Sequence, residues 1–219
     1  MKLLLLALSA AMLSCANYPE LDLSIKDGAG MEDKRTGKMY KTVIIGEQEW
    51  MAENLNYKGP EGDTIGRCYL DKADNCETLG RLYTWAEAMK IDKIYDTTFY
   101  SSIVPKSQGI CPQGSHLPSY ADWEKLLDYV GDKNGLKLKT GFGWEKNSVN
   151  GTDEYGFSAM PAGYHYENRY QKIGECGAWW STKELTDMNI QSVEICDDDN
   201  TKTVNFLKAS WASIRCIKD

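Results

Sequence analysis

The sequence predicts an α+β domain with early helices and a late antiparallel sheet, and three observations carry that expectation. The helical signatures lie between residues 80 and 130. Beyond them the chain is a series of short strand-like runs parted by Gly, Asn and Asp turns. Neither an internal repeat nor the strand–helix alternation of a parallel α/β fold is present. At 219 residues with 42% apolar side chains, one domain with its own core is expected, with or without a tail.

Lys38 to Met51 is rich in β-branched residues and carries Gly46-Glu47 between two short runs, the pattern of a β-hairpin. Gly80 to Lys90 (GRLYTWAEAMK) reads as a short helix capped by Thr84, because Ala, Glu and Met favour the helical state. Residues 120–130 form the clearest helix. Trp123, Leu126, Leu127 and Val130 recur at i, i+3, i+4 and i+7 as one apolar stripe. Ser119 can accept the free amides of the first turn, Asp122 completes a capping box, and Gly131 supplies the stop. Strands are then expected at Lys137–Lys139, Gly156–Ala159, Ala178–Thr182, Ile190–Ile195, Thr203–Leu207 and Ser213–Ile217.

The amino terminus predicts export. Lys2 precedes a short apolar run, Leu3 to Leu13, and Ser14-Cys15 closes it. The run is too short for a membrane span and has the layout of a signal peptide. A small residue directly before cysteine resembles the lipobox of bacterial lipoproteins, which implies cleavage after residue 14 and acylation of Cys15. Leu13 departs from the commonest lipobox, so ordinary cleavage is the alternative. Residues 15–33 lack periodicity and read as a tether, leaving 34–219 as the domain. The expected location is the bacterial cell envelope, anchored by lipid at the outer membrane or cell surface.

Without residues 1–14 the chain has 24 basic against 32 acidic residues, a net charge of −8, and no concentrated basic patch. Nucleic acid is therefore not an expected partner. Six cysteines remain beyond Cys15: Cys68, Cys76, Cys111, Cys176, Cys196 and Cys216. An even number in an exported chain reads as three disulfides; a zinc site would want C-x-x-C pairs with nearby histidines, and neither pattern occurs.

Several motifs together resemble the Fibrobacter succinogenes major paralogous domain. They include Gly37-Lys38-Met39-Tyr40, Trp50-Met51-Ala52-Glu53-Asn54-Leu55-Asn56-Tyr57 and Gly80-Arg81-Leu82-Tyr83-Thr84-Trp85. Cys111-Pro112, His116-Leu117-Pro118, Asp153-Glu154-Tyr155-Gly156-Phe157-Ser158-Ala159, Trp179-Trp180-Ser181-Thr182 and Arg215-Cys216 follow in order, so the likeness runs over about residues 34–218. Ser115 stands where the family commonly has an aromatic residue, and Cys176 and Cys196 look like additions. The resemblance implies a C-type-lectin-like fold, shared with formylglycine-generating enzymes, far more than it implies a function.

The resemblance pairs Cys68 with Cys76, which flank a short acidic loop. Cys111 with Cys216 would tie the start of the main helix to the last strand. Cys176 and Cys196 are paired by register. If Ala178–Thr182 and Ile190–Cys196 form a hairpin centred on Thr186, residues whose numbers sum to 372 face each other.

No catalytic set stands out. Formylglycine-generating oxidases use a reactive cysteine pair, but Cys196 and Cys216 are better explained as bridge partners; no G-x-S-x-G elbow occurs. The run Asp197-Asp198-Asp199-Asn200 could contribute oxygens to a calcium site, or be a solvated hairpin tip. No other cofactor is implied. Alternation puts Trp179 and Trp180 on opposite faces, one in the core and one nearer the surface. With Tyr166 and Trp211, Trp180 is expected to form an aromatic binding surface. The expected function is a non-catalytic recognition or adhesion module for glycans or partner proteins. The rivals are a divergent formylglycine-generating-like oxidase or polysaccharide-active enzyme, and a structural envelope protein. The oligomeric state is left open.

Overall fold

The structure is a computed structural model that describes residues 25–61, 63–145 and 150–219. The expected signal peptide, the expected lipidation site Cys15 and the first part of the expected tether lie outside the described residues. The described residues have few helices and mostly antiparallel sheets, an arrangement compatible with the expected α+β class or with a mostly-β one. Strands β1 (Met31–Asp33) and β2 (Lys38–Tyr40) pair with each other, and β3 (Thr42–Ile45) and β4 (Gln48–Met51) form the expected hairpin around Gly46-Glu47. Gly46 has φ +62°, and a Cβ there would come within 2.9 Å of the Tyr129 ring, so the turn has two reasons for glycine.

Helices α1 (Ala73–Leu79) and α2 (Trp85–Met89) follow, then β5 (Ser115–His116), α3 (Tyr120–Val130) and α4 (Asn134–Leu138). The late chain supplies β6 (Ala162–Tyr166), β7 (Arg169–Ile173), β8 (Gly177–Trp179), β9 (Asn189–Ile195), β10 (Lys202–Leu207) and β11 (Ile217–Lys218). The five-stranded sheet runs β10-β9-β8-β6-β7, with only β6 and β8 parallel. A four-stranded sheet runs β3-β4-β11-β5, so the end of the described chain lies between the early hairpin and the strand before the main helix.

Local chemistry sets the helices. Thr84 and Ser119 each accept from the third helical residue, Glu87 and Asp122, whose carboxylates return to the cap amides, two complete capping boxes. Helix α3 occupies the expected span and buries Trp123, Leu126 and Val130. Helix α2 is shorter than expected: Leu82 and Tyr83 instead make single bridges to Arg67 and Ala212.

Three expected strands are corrected. Lys137–Lys139 is not a strand; α4 takes up Lys137 and Leu138, and the chain turns there so that Lys139 can point inward. Gly156–Ala159 is a tight turn, because Asp153 accepts from both the amide and the hydroxyl of Ser158, with Gly156 and Ser158 at positive φ. Ser213 makes one bridge to Trp179, and only Ile217–Lys218 is a strand. The tether also ends sooner than residue 33. Asp27 bridges Val43, and buried Asp33 lies in β1, held to Arg35 through both carboxylate oxygens. The hairpin β6–β7, absent from the expected elements, turns on Glu167 and Asn168, both at positive φ.

The β8–β9 register is the expected one: Gly177 faces Ile195, Ala178 faces Glu194 and Trp179 faces Val193. The three disulfides are Cys68–Cys76, Cys111–Cys216 and Cys176–Cys196, the last with Cα atoms 4.0 Å apart across those strands.

Two apolar clusters form the core. One gathers Trp50, Trp123, Leu126, Phe157, Trp179 and Val193; the other holds Tyr83, Trp85, Leu117, Trp180, Phe206 and Ile214. Trp179 and Trp180 point into different clusters, as alternation requires, but both are buried. The expectation that one lies nearer the surface fails because the sheet is covered on both faces.

Candidate functional site

Trp180 cannot serve an exposed binding surface. Its ring packs on Phe206 and its Nε1 donates to the Tyr83 carbonyl at 2.7 Å. Half-buried Tyr166 also packs on Phe206. Trp211 belongs to a different group, beneath the Arg67 guanidinium at 4.2 Å and edge-on to His165 at 4.7 Å. The three aromatics do not form one surface, because His165 and Tyr166 alternate across β6.

The Asp197-Asp198-Asp199 loop already faces a cation of the protein's own. Lys139 is fully buried, and its Nζ donates to the carbonyls of Cys196 (3.1 Å) and Asp198 (3.2 Å). Burial lowers the Lys139 ammonium, while Asp199, Asp197 and Asp198 oppose that shift. Asp198 also pairs with Lys202, and Asp199 lies 3.9 Å from Lys133 Nζ. The loop is thus surrounded by cations of the protein's own, Lys139, Lys202 and Lys133. The one group of three metal-ligating side chains close enough to share an ion, among the described residues, is Cys176, Cys196 and Glu194. Its two sulfurs are bonded to each other.

The quoted motifs converge elsewhere, on Arg215. Its side chain is fully buried and, among the described residues, has no carboxylate partner within ion-pair distance. Instead Nε donates to Asn54 Oδ1 (3.0 Å), Nη1 to the carbonyls of Met51 (3.2 Å) and Phe157, and Nη2 to that of Ser158 (2.6 Å). Asn54 Oδ1 also accepts from Trp179 Nε1 at 2.9 Å. Burial pulls the guanidinium down to about 9, which leaves it charged at neutral pH. Three distant segments, 51–54, 157–158 and 215, are thus joined by one side chain with donors enough for all of them.

Arg215 and Asn54 form part of the floor of a cleft of about 820 Å³. One wall is the segment Asp27–Gly30, laid along β3 by Gly28 N to Thr42 O (2.8 Å) and Ile44 N to Lys26 O (2.8 Å). The other carries the loop Thr140-Gly141-Phe142-Gly143-Trp144. Both ends of that loop are buried and joined, with Trp144 Nε1 donating to Thr140 Oγ1 (3.1 Å) and Thr140 Oγ1 to the Phe142 carbonyl (2.6 Å). Phe142 itself is 66% exposed, and Met39, also lining the cleft, is 60% exposed. Burying a phenylalanine would stabilise by about 1.5–3 kcal/mol, so its exposure on an anchored loop needs another explanation.

Glu53 supplies the remaining feature. Its Oε2 is buried and finds no hydrogen-bond partner among the described residues, although a carboxylate oxygen ordinarily accepts two. Sequence reasoning quoted Glu53, Asn54 and Arg215 as motif residues without giving them a role. It passed over Phe142, whose signal is a phenylalanine held between two glycines.

Elsewhere, Lys208 and Glu184 form a buried ion pair, and Glu184 also accepts the Tyr100 amide at 2.9 Å. This pair fixes the 98–100 segment to the late sheet. His116, also buried, lies between Asp219 (2.8 Å) and Asp122 (3.9 Å). No helix among the described residues is long and apolar enough to cross a membrane.

A family model described as the Fibrobacter succinogenes major domain matches residues 43–218. No curated protein and no solved structure matches the chain.

Proposed function

The chain belongs to the Fibrobacter succinogenes major domain family, and on that footing we propose that it is a non-catalytic recognition module whose ligand enters the cleft above Arg215. The observation that carries this reading is a cleft of about 820 Å³ whose lining includes Phe142, exposed on an anchored loop. An exposed aromatic ring on a fixed loop at a concave surface is an arrangement a ligand can complete. The thiol-oxidase alternative needs a reduced cysteine pair, whereas Cys68, Cys76, Cys111, Cys176, Cys196 and Cys216 are all in disulfides.

The finer fold assignment, C-type-lectin-like, is part of the proposal. It draws on β11 lying between β4 and β5 and on the Cys111–Cys216 bridge, which bring the two ends of the domain together. Lipid anchorage through Cys15 at the cell envelope is proposed from the amino-terminal sequence.

The test is an array of polysaccharides and extracellular peptides probed with the folded protein, with each bound ligand then weighed by mass spectrometry. Retention of a ligand at unchanged mass is the expected outcome. Cleavage or oxidation of the ligand would overturn the non-catalytic reading.

A further inference from the structure

We infer that Lys208 and Glu184 become joined by an isopeptide bond, a cross-link that the folded chain forms between its own side chains with loss of one water. This modification site lies outside the lining of the cleft and does not depend on the recognition reading.

The two groups are placed as the reactants of an amide. Lys208 Nζ touches Glu184 Oε1, and the two side chains are 0% and 3% exposed. The Trp85 ring lies 4.8 Å from the same nitrogen and the Phe99 ring 5.9 Å, so the surroundings are largely apolar. Holding two charges away from water is costly, and such a setting favours the neutral amine and the neutral acid over the ions. Those neutral forms are the ones that react.

The backbone around the pair matches the product more closely than it matches the ions. An amide offers one N–H and one carbonyl oxygen, whereas an ammonium offers three donors. Lys208 Nζ donates to the Thr98 carbonyl at 2.8 Å, and Glu184 accepts the Tyr100 amide at 2.9 Å through Oε1 and 3.2 Å through Oε2. Among the described residues, the ammonium meets only Thr98 and Glu184, which leaves one of its three protons unmatched. Once the bond has formed, the single N–H keeps Thr98 and the remaining oxygen keeps Tyr100. Every polar group of the link is then satisfied.

No outside reagent is needed. Lys208 passes one proton to the carboxylate that it touches. Its nitrogen lone pair then attacks Glu184 Cδ, the N–C bond forms, and one C–O bond breaks. The departing hydroxyl takes a second proton from the nitrogen and leaves as water. The Tyr100 amide, already on the carboxyl oxygens, stabilises the negative charge that develops on the one that stays. Glu184, Phe99 and Tyr100 also line a groove of about 500 Å³, through which the water can leave. The linked residues are 24 apart and β9 and β10 lie between them, so the amide would clasp the base of that hairpin as a disulfide would.

The experiment is mass spectrometry of the full-length protein, isolated after export and kept at neutral pH, both intact and after reduction and tryptic digestion. The expected mass is lower than that of the disulfide-bonded chain by one water. Trypsin should leave Lys208 uncut and release residues 184–202 joined to 203–215. The double variant Lys208→Met/Glu184→Met, which replaces the pair with apolar side chains of similar length, should show the full mass and no joined peptide. The parent's peptides decide the matter whether or not that variant folds. Separate peptides at full mass after prolonged incubation would overturn the inference and leave an ion pair. A lost water without the joined peptide, or a link from Lys208 to another residue, would overturn it equally.

Discussion

Replacing Arg215 with methionine should be among the most damaging single substitutions in the domain. Methionine roughly fills the space of the side chain but leaves the carbonyls of Met51, Phe157 and Ser158 buried without that donor. Each orphaned acceptor costs about 1–3 kcal/mol, so the loss before compensation is about 3–9 kcal/mol. Asn54 Oδ1 keeps the Trp179 indole and adds little. Relief from burying a charge that has no carboxylate partner offsets part of the loss, which leaves about 3–5 kcal/mol. Against a typical total stability of about 5–15 kcal/mol this is severe. Urea unfolding with disulfides intact measures it: with a slope near 2 kcal/mol/M, the midpoint should fall by about 2 M. Arg215→Lys keeps the charge but offers three donors to four acceptors, and should fall in between. A methionine variant shifted by less than about 0.5 M would refute the reasoning, since the carbonyls would then have found other donors.

Other outcomes follow from the same geometry. The Cys111–Cys216 bridge spans 105 residues and Cys176–Cys196 spans 20, so in the chain-entropy treatment serine replacement of the first pair should cost about 1.5 kcal/mol more, read by chemical denaturation. Millimolar calcium should leave the thermal midpoint of the parent protein unchanged, because Lys139 already supplies the cation facing the Asp197–Asp199 loop; a calcium-dependent rise would contradict that assignment. Burial, and secondarily Arg67, lower the His165 pKa below its ordinary value near 6.5. The unfolded chain therefore binds the proton more readily, and the contribution of His165 to stability is present above that pH and lost as the pH falls through the lowered value; His165→Gln should flatten this part of the pH–stability curve. At the amino terminus, Cys15→Ala should move the protein out of the membrane fraction or leave it unprocessed; unchanged detergent partitioning would argue against a lipid anchor.

What the sequence alone determined about this protein is what short-range chemistry decides. Helix α3 was legible at both ends, because Ser119, Asp122 and Gly131 satisfy or stop its backbone within a few residues of themselves. The β8–β9 register was legible because strand pairing conserves the sum of facing positions, and that placed Cys176 opposite Cys196. Tertiary structure decided the rest. Lys137–Lys139 reads as alternating apolar and polar, yet Lys139 turns inward to meet carbonyls nearly sixty positions later, an attraction that no local window contains. Alternation placed Trp179 and Trp180 on opposite faces correctly but could not show that a second cluster covers the outer one. The candidate site was invisible for the same reason. Glu53, Phe142 and Arg215 come from separate segments, and what marks them is the missing partner of one carboxylate oxygen and the exposure of one ring. Both are properties of the surroundings that the folded chain supplies, and a residue's identity carries neither.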